Sequence, residues 1–206
     1  MHPIEHLIYQ LRSAPVRTYP FPHIWLENVF PLAYYQRLCE ALIGDFRFQQ
    51  IAAYPNRQFC NDLPPDLMKD LSSLRLAATI RDLFRLSCDM EGWIRWTRDG
   101  CGYSLGPHTD TTSKVASLLF YMPSKSQDEG PWGTSLYLPK EPVDDDGQKH
   151  WRFDKFHLIH TFPFQANTCL AFPRADNSWH GVEPIVSNIQ RDMIVYTLNH
   201  RTGGSK

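Results

Sequence analysis

A histidine and an aspartate, His108 and Asp110, stand one residue apart in GPHTDTTSKVASLLFYMP (106–123), and a second histidine, His180, follows in NSWHGVEP (177–184). Two neutral imidazoles and one carboxylate on one face of an octahedron suit iron(II) and leave three positions for other ligands. Along a strand or tight turn, side chains i and i+2 share a side, so His108 and Asp110 can reach one ion. His180, 70 residues beyond Asp110, must then arrive from a facing strand. Taken singly, each histidine reads as an ordinary cleft residue. Order, spacing and a basic residue further on give the set its weight. Arg191 lies eleven residues past His180, inside the strand-like QRDMIVYTLN (190–199). An arginine turned into a β core is costly without a partner. A dicarboxylate co-substrate would supply one through a bidentate guanidinium contact. Outward pairing of Arg191 with Asp192 or Glu183 is the plainer alternative.

Elements able to hold such a set begin at Gly92. WIRWTRDG, KVASLLFYMP, WGTSLYLP, FHLIHTFPF, NTCLAFP and RDMIVYTLN are short β-rich runs separated by Gly, Pro, Asn and Asp. Runs of this kind predict an antiparallel sandwich or barrel such as a jelly roll. Upstream, RTYPFPHIWLENVF (17–30) reads as extended. PLAYYQRLCEALI (31–43) reads as a helix opened by Pro31, with Tyr34, Tyr35, Leu38 and Leu42 at helical spacing. The segment around Tyr54-Pro55-Asn56 reads as a loop, and residues 64–86 as helical with a break near Ser72-Ser73. The expectation is one α+β domain, with helices and a strand over about 1–90 and the β core over about 91–202. Between two of the β runs, residues 140–155 are too polar and too long for a hairpin turn and read as a surface loop or lid. Its Asp144-Asp145-Asp146 run is a solvated tip, since adjacent carboxylates point in different directions.

Composition narrows the partners. With 21 basic and 22 acidic residues the net charge is −1, which offers no electrostatic footprint for nucleic acid or an anionic membrane. Five scattered cysteines, none in a C-x-x-C pair, argue against a disulfide framework or a structural zinc cluster. The first residues lack the apolar run of a secretory signal, and no window approaches the ~18 apolar residues of a membrane span. A soluble, cytoplasmic protein is expected.

The pattern H-T-D…H-G-V-E-P…R resembles that of the iron(II)- and 2-oxoglutarate-dependent dioxygenases, particularly the prolyl-hydroxylase-like branch. The resemblance covers roughly residues 92–200. It implies a double-stranded β-helix core (jelly-roll or cupin-like) with N-terminal helices packed on one sheet. It implies that His108, Asp110 and His180 bind iron(II), that Arg191 holds the distal carboxylate of 2-oxoglutarate, and that Tyr121 reaches the same carboxylate. Because Asp110 is a carboxylate and not a small residue, the implied use of O2 is hydroxylation of an unactivated C–H bond, with succinate and CO2 released. The chain also departs from the family pattern. Trp96 stands where relatives often carry a tyrosine, a place Tyr103 would have to fill. Only Gly133 remains of a glycine pair. Arg191-Asp192-Met193 lacks the serine of R-x-S.

Trp132, Trp179 and the 140–155 loop are expected near the opening of the site. A small molecule, a carrier-bound metabolite and a peptidyl side chain are all open as substrates. Three other readings of the residues stay open at this point: a zinc hydrolase, a cupin-like metalloenzyme without 2-oxoglutarate, and a non-catalytic jelly-roll binding module. The first leaves Arg191 without a role, the second more often uses additional histidines, and the third makes the H-x-D…H…R order a coincidence.

Overall fold

A computed structural model describes residues 2–41, 48–123, 128–144 and 150–201. Among these residues four helices precede or interrupt the first strands: α1 (Pro3–Ser13), α2 (Leu32–Ala41), α3 (Pro65–Leu71) and α4 (Leu74–Phe84). Helix α1 was not apparent in the polar N-terminal sequence, yet Ile4, Leu7, Ile8 and Leu11 recur at helical spacing and are all buried. Pro3 occupies its first turn, and the His2 side chain accepts the Ile4 N–H as a cap. The break between α3 and α4 falls at Ser72-Ser73, where two helical carbonyls are closed off and the chain restarts.

Among the described residues eleven strands form two antiparallel sheets. They are β1 (Ile24–Glu27), β2 (Gln49–Ile51), β3 (Tyr54–Cys60), β4 (Met90–Asp99), β5 (Leu105–His108), β6 (Lys114–Tyr121), β7 (Ser135–Pro139), β8 (Phe156–Thr161), β9 (Thr168–Pro173), β10 (His180–Val182) and β11 (Arg191–His200). The seven-stranded sheet runs β1-β9-β6-β11-β4-β3-β2, and the four-stranded sheet β5-β10-β7-β8. The segment read as a loop around Tyr54-Pro55-Asn56 is therefore part of strand β3. Its proline and its polar residues are tolerated because only β2, three residues long, covers that side of it.

The large sheet is divided by the alternation of its side chains. One face carries Leu118, Phe120, Ile194, Tyr196, Leu198 and Trp96, which pack with Leu7, Leu11, Leu67, Leu76 and Ile80 of the helices in one continuous core. Each such fully buried aliphatic side chain contributes about 1.5–3 kcal/mol. The expected packing of the N-terminal helices on one sheet is thus present. The opposite face carries Leu170 and Phe172, which meet Leu136 of the small sheet, along with Phe21 and Phe162. A cavity opens between the two sheets beside this second core, and the polar residues gather there. No helix among the described residues is long and apolar enough to cross a membrane.

Candidate metal centre

His108 ends β5 and His180 begins β10, and the two are register partners in the small sheet. Their rings lie 4.4 Å apart between centroids. The close approach of the strands depends on Gly181, where a Cβ would come within 2.5 Å of the Leu105 carbonyl oxygen. Asp110 follows His108 by two residues, and the ligating atoms of His108, Asp110 and His180 all lie within 4.8 Å of one another. All three side chains are buried. They are the only such cluster of metal-ligating side chains among the described residues.

Backbone carbonyls orient both imidazoles. His108 Nδ1 lies 3.0 Å from the Gly106 carbonyl oxygen, and His180 Nδ1 lies 2.9 Å from that of Ser178. A carbonyl can only accept, so each Nδ1 carries the proton and each Nε2 presents a lone pair. Burial, and for His108 the neighbouring His180, holds both imidazoles below their ordinary pKa, so they are neutral ligands near pH 7. For Asp110, burial favours the neutral acid, but the Lys114 ammonium and the two imidazoles outweigh it and hold the carboxyl well below the usual carboxylate range. Lys114 Nζ donates to Oδ1 at 2.5 Å and Ser117 Oγ to Oδ2 at 2.8 Å. Two neutral nitrogens and one carboxylate, fixed before any ion arrives, fit a divalent cation of the iron(II) type.

The cavity beside these ligands, about 100 Å³, is lined by Ser117, Thr134, Phe172, Arg191 and Met193 as well as by the ligands themselves. Arg191 and Asp192 point to opposite faces of β11, as neighbours on a strand must. Arg191 is fully buried and points inward, while Asp192 binds Arg98 and Glu183 accepts the Tyr137 hydroxyl. Neither acid is therefore the partner of Arg191. That partner is Asp99, its register neighbour on β4, at 2.6 Å from Nη1. Nε donates to the Trp132 carbonyl, and Nη2 reaches Thr134 Oγ1 only at 3.4 Å. Burial of Arg191 therefore does not by itself require a bound dicarboxylate, contrary to the inference from its sequence position. Arg191 nevertheless lines the cavity beside His108, Asp110 and His180.

A second guanidinium, unread in the sequence, shares the same acid. Arg57 of β3 grips Asp99 through Nε at 2.6 Å and Nη2 at 2.9 Å, with its guanidinium 4.3 Å from the centre of the Tyr103 ring. A strand pattern over 54–60 was the only signal that would have exposed it, and Pro55 obscured that pattern.

Tyr121 is fully buried with its ring 5.6 Å from the Arg191 guanidinium. Its hydroxyl donates to Thr134 Oγ1 at 2.9 Å and accepts the Thr134 N–H at 3.0 Å. Thr134, and not the tyrosine hydroxyl, forms the cavity wall at this point. Gly133 precedes it because a Cβ there would collide with the Phe162 carbonyl. Trp96 lies on the helix-covered face, so it does not approach the ligands. Tyr103 packs with Val182 and Ile185 and does not itself line the cavity. Trp179, expected at the opening, is buried against Tyr137 and Phe156, and the Trp132 indole packs near Tyr121 and Phe164. From the 140–155 loop, the Trp151 N–H donates to the Pro107 carbonyl, and the His150 ring stands 4.8 Å from that of His108. Asp144 is exposed, while Asp145 and Asp146 fall outside the described residues.

No family model and no curated protein sequence matches the chain. Solved structures do match. A prolyl-4-hydroxylase from Pseudomonas putida is 12% identical with a TM-score of 0.61, over 97% of this chain and 100% of that one. HygX from Streptomyces hygroscopicus, solved with nickel, 2-oxoglutarate and hygromycin B bound, is 12% identical with a TM-score of 0.60, over 96% and 87%. A prolyl hydroxylase from Trichoplax adhaerens, in complex with a hypoxia inducible factor peptide fragment, is 15% identical with a TM-score of 0.54, over 95% and 88%. The chain thus has the fold of the 2OG-Fe(II) oxygenases, prolyl hydroxylases among them.

Proposed function

We propose that this chain is an iron(II)- and 2-oxoglutarate-dependent oxygenase built on a double-stranded β-helix, hydroxylating a C–H bond of its substrate. The observation that carries this reading is the meeting of His108, Asp110 and His180 in one cavity wall with Arg191. His108, Asp110 and His180 would hold the metal, and Arg191 with Thr134 would hold the distal carboxylate of the co-substrate. Iron(II) with bound 2-oxoglutarate supplies the oxidising chemistry, in which O2 gives one oxygen atom to succinate and one to the substrate as CO2 is released.

The protein's own part is binding and orientation. Backbone carbonyls hold the two imidazoles, and Lys114 and Ser117 hold Asp110, so the three side chains are kept facing one another. Arg191 has donor capacity left at Nη2, and its guanidinium is kept in place by Asp99 and the Trp132 carbonyl. Tyr121 acts through Thr134, whose Oγ1 and N–H it fixes. Phe172, Leu119 and Val182 keep the cavity wall apolar and limit water around the ligands. A hydrolytic reading would need a general base, and Asp110 is the only carboxylate lining the inner cavity among the described residues.

Anaerobic titration with iron(II) and 2-oxoglutarate tests the proposal. A weak visible charge-transfer band should develop with both and with neither alone, and His180→Ala should abolish it. No band in folded, metal-loaded wild-type protein would overturn the assignment.

A further inference from the structure

Two residues border every part of the cleft around the candidate centre. Arg57 and Lys114 line the inner cavity beside the ligands. They also line an opening of about 300 Å³ walled by Tyr54, Thr111 and His150. They line as well a groove of about 560 Å³ along β4 and β11, where Trp93, Arg95 and Thr197 are found. Arg57 and Lys114 are thus the two residues shared by all three spaces.

Each is paired with a carboxylate, Arg57 with Asp99 and Lys114 with Asp110, but the positive charge of the cleft is only partly cancelled. The groove presents Arg57, Arg95 and Lys114 and no acidic residue. Arg95 donates to the Asn61 side-chain carbonyl at 3.2 Å and lies 4.6 Å from the Phe59 ring centre, with no carboxylate partner among the described residues. Three cations, Arg57, Lys114 and Arg191, line the inner cavity, and the carboxylates paired with them are Asp99 and Asp110, a sum of 3 − 2 = +1. A divalent metal and a dianionic co-substrate cancel each other, so the loaded site keeps that surplus. A site with unneutralised cations and low-dielectric walls concentrates anions and rejects cations. The whole chain carries a net charge of −1, so this polarity is local to the cleft. Trp93, 60% exposed in the groove, adds an apolar surface beyond the charges.

We infer that the substrate carries an anionic group, a carboxylate or a phosphate, bound between Arg57 and Lys114, with its body lying along the groove towards Arg95 and Trp93. This rests on the oxygenase reading and adds a substrate class to it. Arg57 is bidentate to Asp99 through Nε and Nη2, which leaves Nη1 for the ligand. Lys114 gives one of its three donors to Asp110, which leaves two for the ligand.

Four aromatic probes of similar size, benzoate, phenyl phosphate, benzamide and benzylamine, distinguish the possibilities. Their proton relaxation is followed by NMR with the manganese(II)-loaded protein at saturating 2-oxoglutarate, and the charge-transfer band is followed in parallel with iron(II). One or both anions should show saturable relaxation, and which of them binds decides between carboxylate and phosphate. Benzamide should bind weakly and benzylamine not at all. Lys114→Gln should weaken the anion by about tenfold or more, as loss of a charged hydrogen bond does, and Lys114→Arg should restore it. Arg57→Lys, compared with Arg57→Gln in folded protein, provides the same pair of measurements from the other side. Equal binding of all four probes, or Gln variants that bind anion as wild type does, would overturn the inference alone. Loss of the band as benzoate binds would place the anion on the co-substrate position and overturn it as well. Failure of the band to form in the first place removes the oxygenase reading and this inference with it.

Discussion

Asp99 and Arg191 are register partners on β4 and β11, and their side chains meet at 2.6 Å with both fully buried. A buried pair of this kind is fragile in one direction. Removing the acid leaves Arg191 buried without its counter-charge, and Arg57 loses the same partner. Asp99→Asn should therefore cost about 3–5 kcal/mol. For a chain of this size that corresponds to a fall in Tm of roughly 6–20 °C. Differential scanning calorimetry of the metal-free protein reads it, and a change under 2 °C would show that the pair does not support the fold.

Metal should stabilise the folded chain, because the three ligands converge only in the native structure. At a hundredfold excess of metal over Kd the expected gain is about 2.7 kcal/mol. Thermal melts with manganese(II) against chelator measure it. In His180→Ala the difference between the two conditions should vanish, whereas His157→Ala, an exposed residue of β8, should keep it.

Ser117 is a quieter test of the ligand set. Its Oγ donates to Asp110 Oδ2 at 2.8 Å, which fixes the plane of the carboxylate. Ser117→Ala should leave the fold intact and weaken metal binding by about 10–100-fold, the usual effect of losing a group that orients a ligand. Isothermal titration with manganese(II) reads this directly, and an unchanged affinity would mean that Lys114 alone orients Asp110.

His23 makes a prediction about pH that does not involve the metal. It is buried, with its ring edge-on to Phe21 and Phe162, and its Nδ1–H donates to the Phe21 carbonyl at 2.8 Å. Burial holds its pKa below the ordinary 6.5. The unfolded chain therefore takes up the proton first, so stability is complete at neutral pH and declines as pH falls through about 6.5, by up to ~1.4 kcal/mol per pH unit for one proton. His23→Asn keeps a donor for the Phe21 carbonyl and removes the titration. Denaturant melts of both proteins between pH 7.5 and 5.5 should show a shallower decline in the variant, and parallel curves would assign the effect elsewhere.

The amino-acid sequence by itself determined which side chains could hold a metal and their order along the chain. His108, Asp110 and His180 were legible because the chemistry of a metal site is written in side-chain identity and short spacing. The short β-rich runs after Gly92, set off by Gly, Pro, Asn and Asp, marked the strands, and Ser72-Ser73 marked the helix break, because these are local patterns. Only the tertiary structure decided what surrounds them. That Arg191 answers to Asp99 and not to Asp192 depends on which face of β11 turns inward and which residue of β4 lies opposite. That Trp96 belongs to the helix-covered core, and that the Tyr121 hydroxyl meets Thr134, are matters of strand register. Arg57 entered the site from a segment whose Pro55 concealed a strand, across 42 residues of sequence from Asp99. Spacing along the chain constrains which residues share a strand face. Charge balance in a cavity depends on which strands pair, and those pairings bring together residues that no local pattern connects.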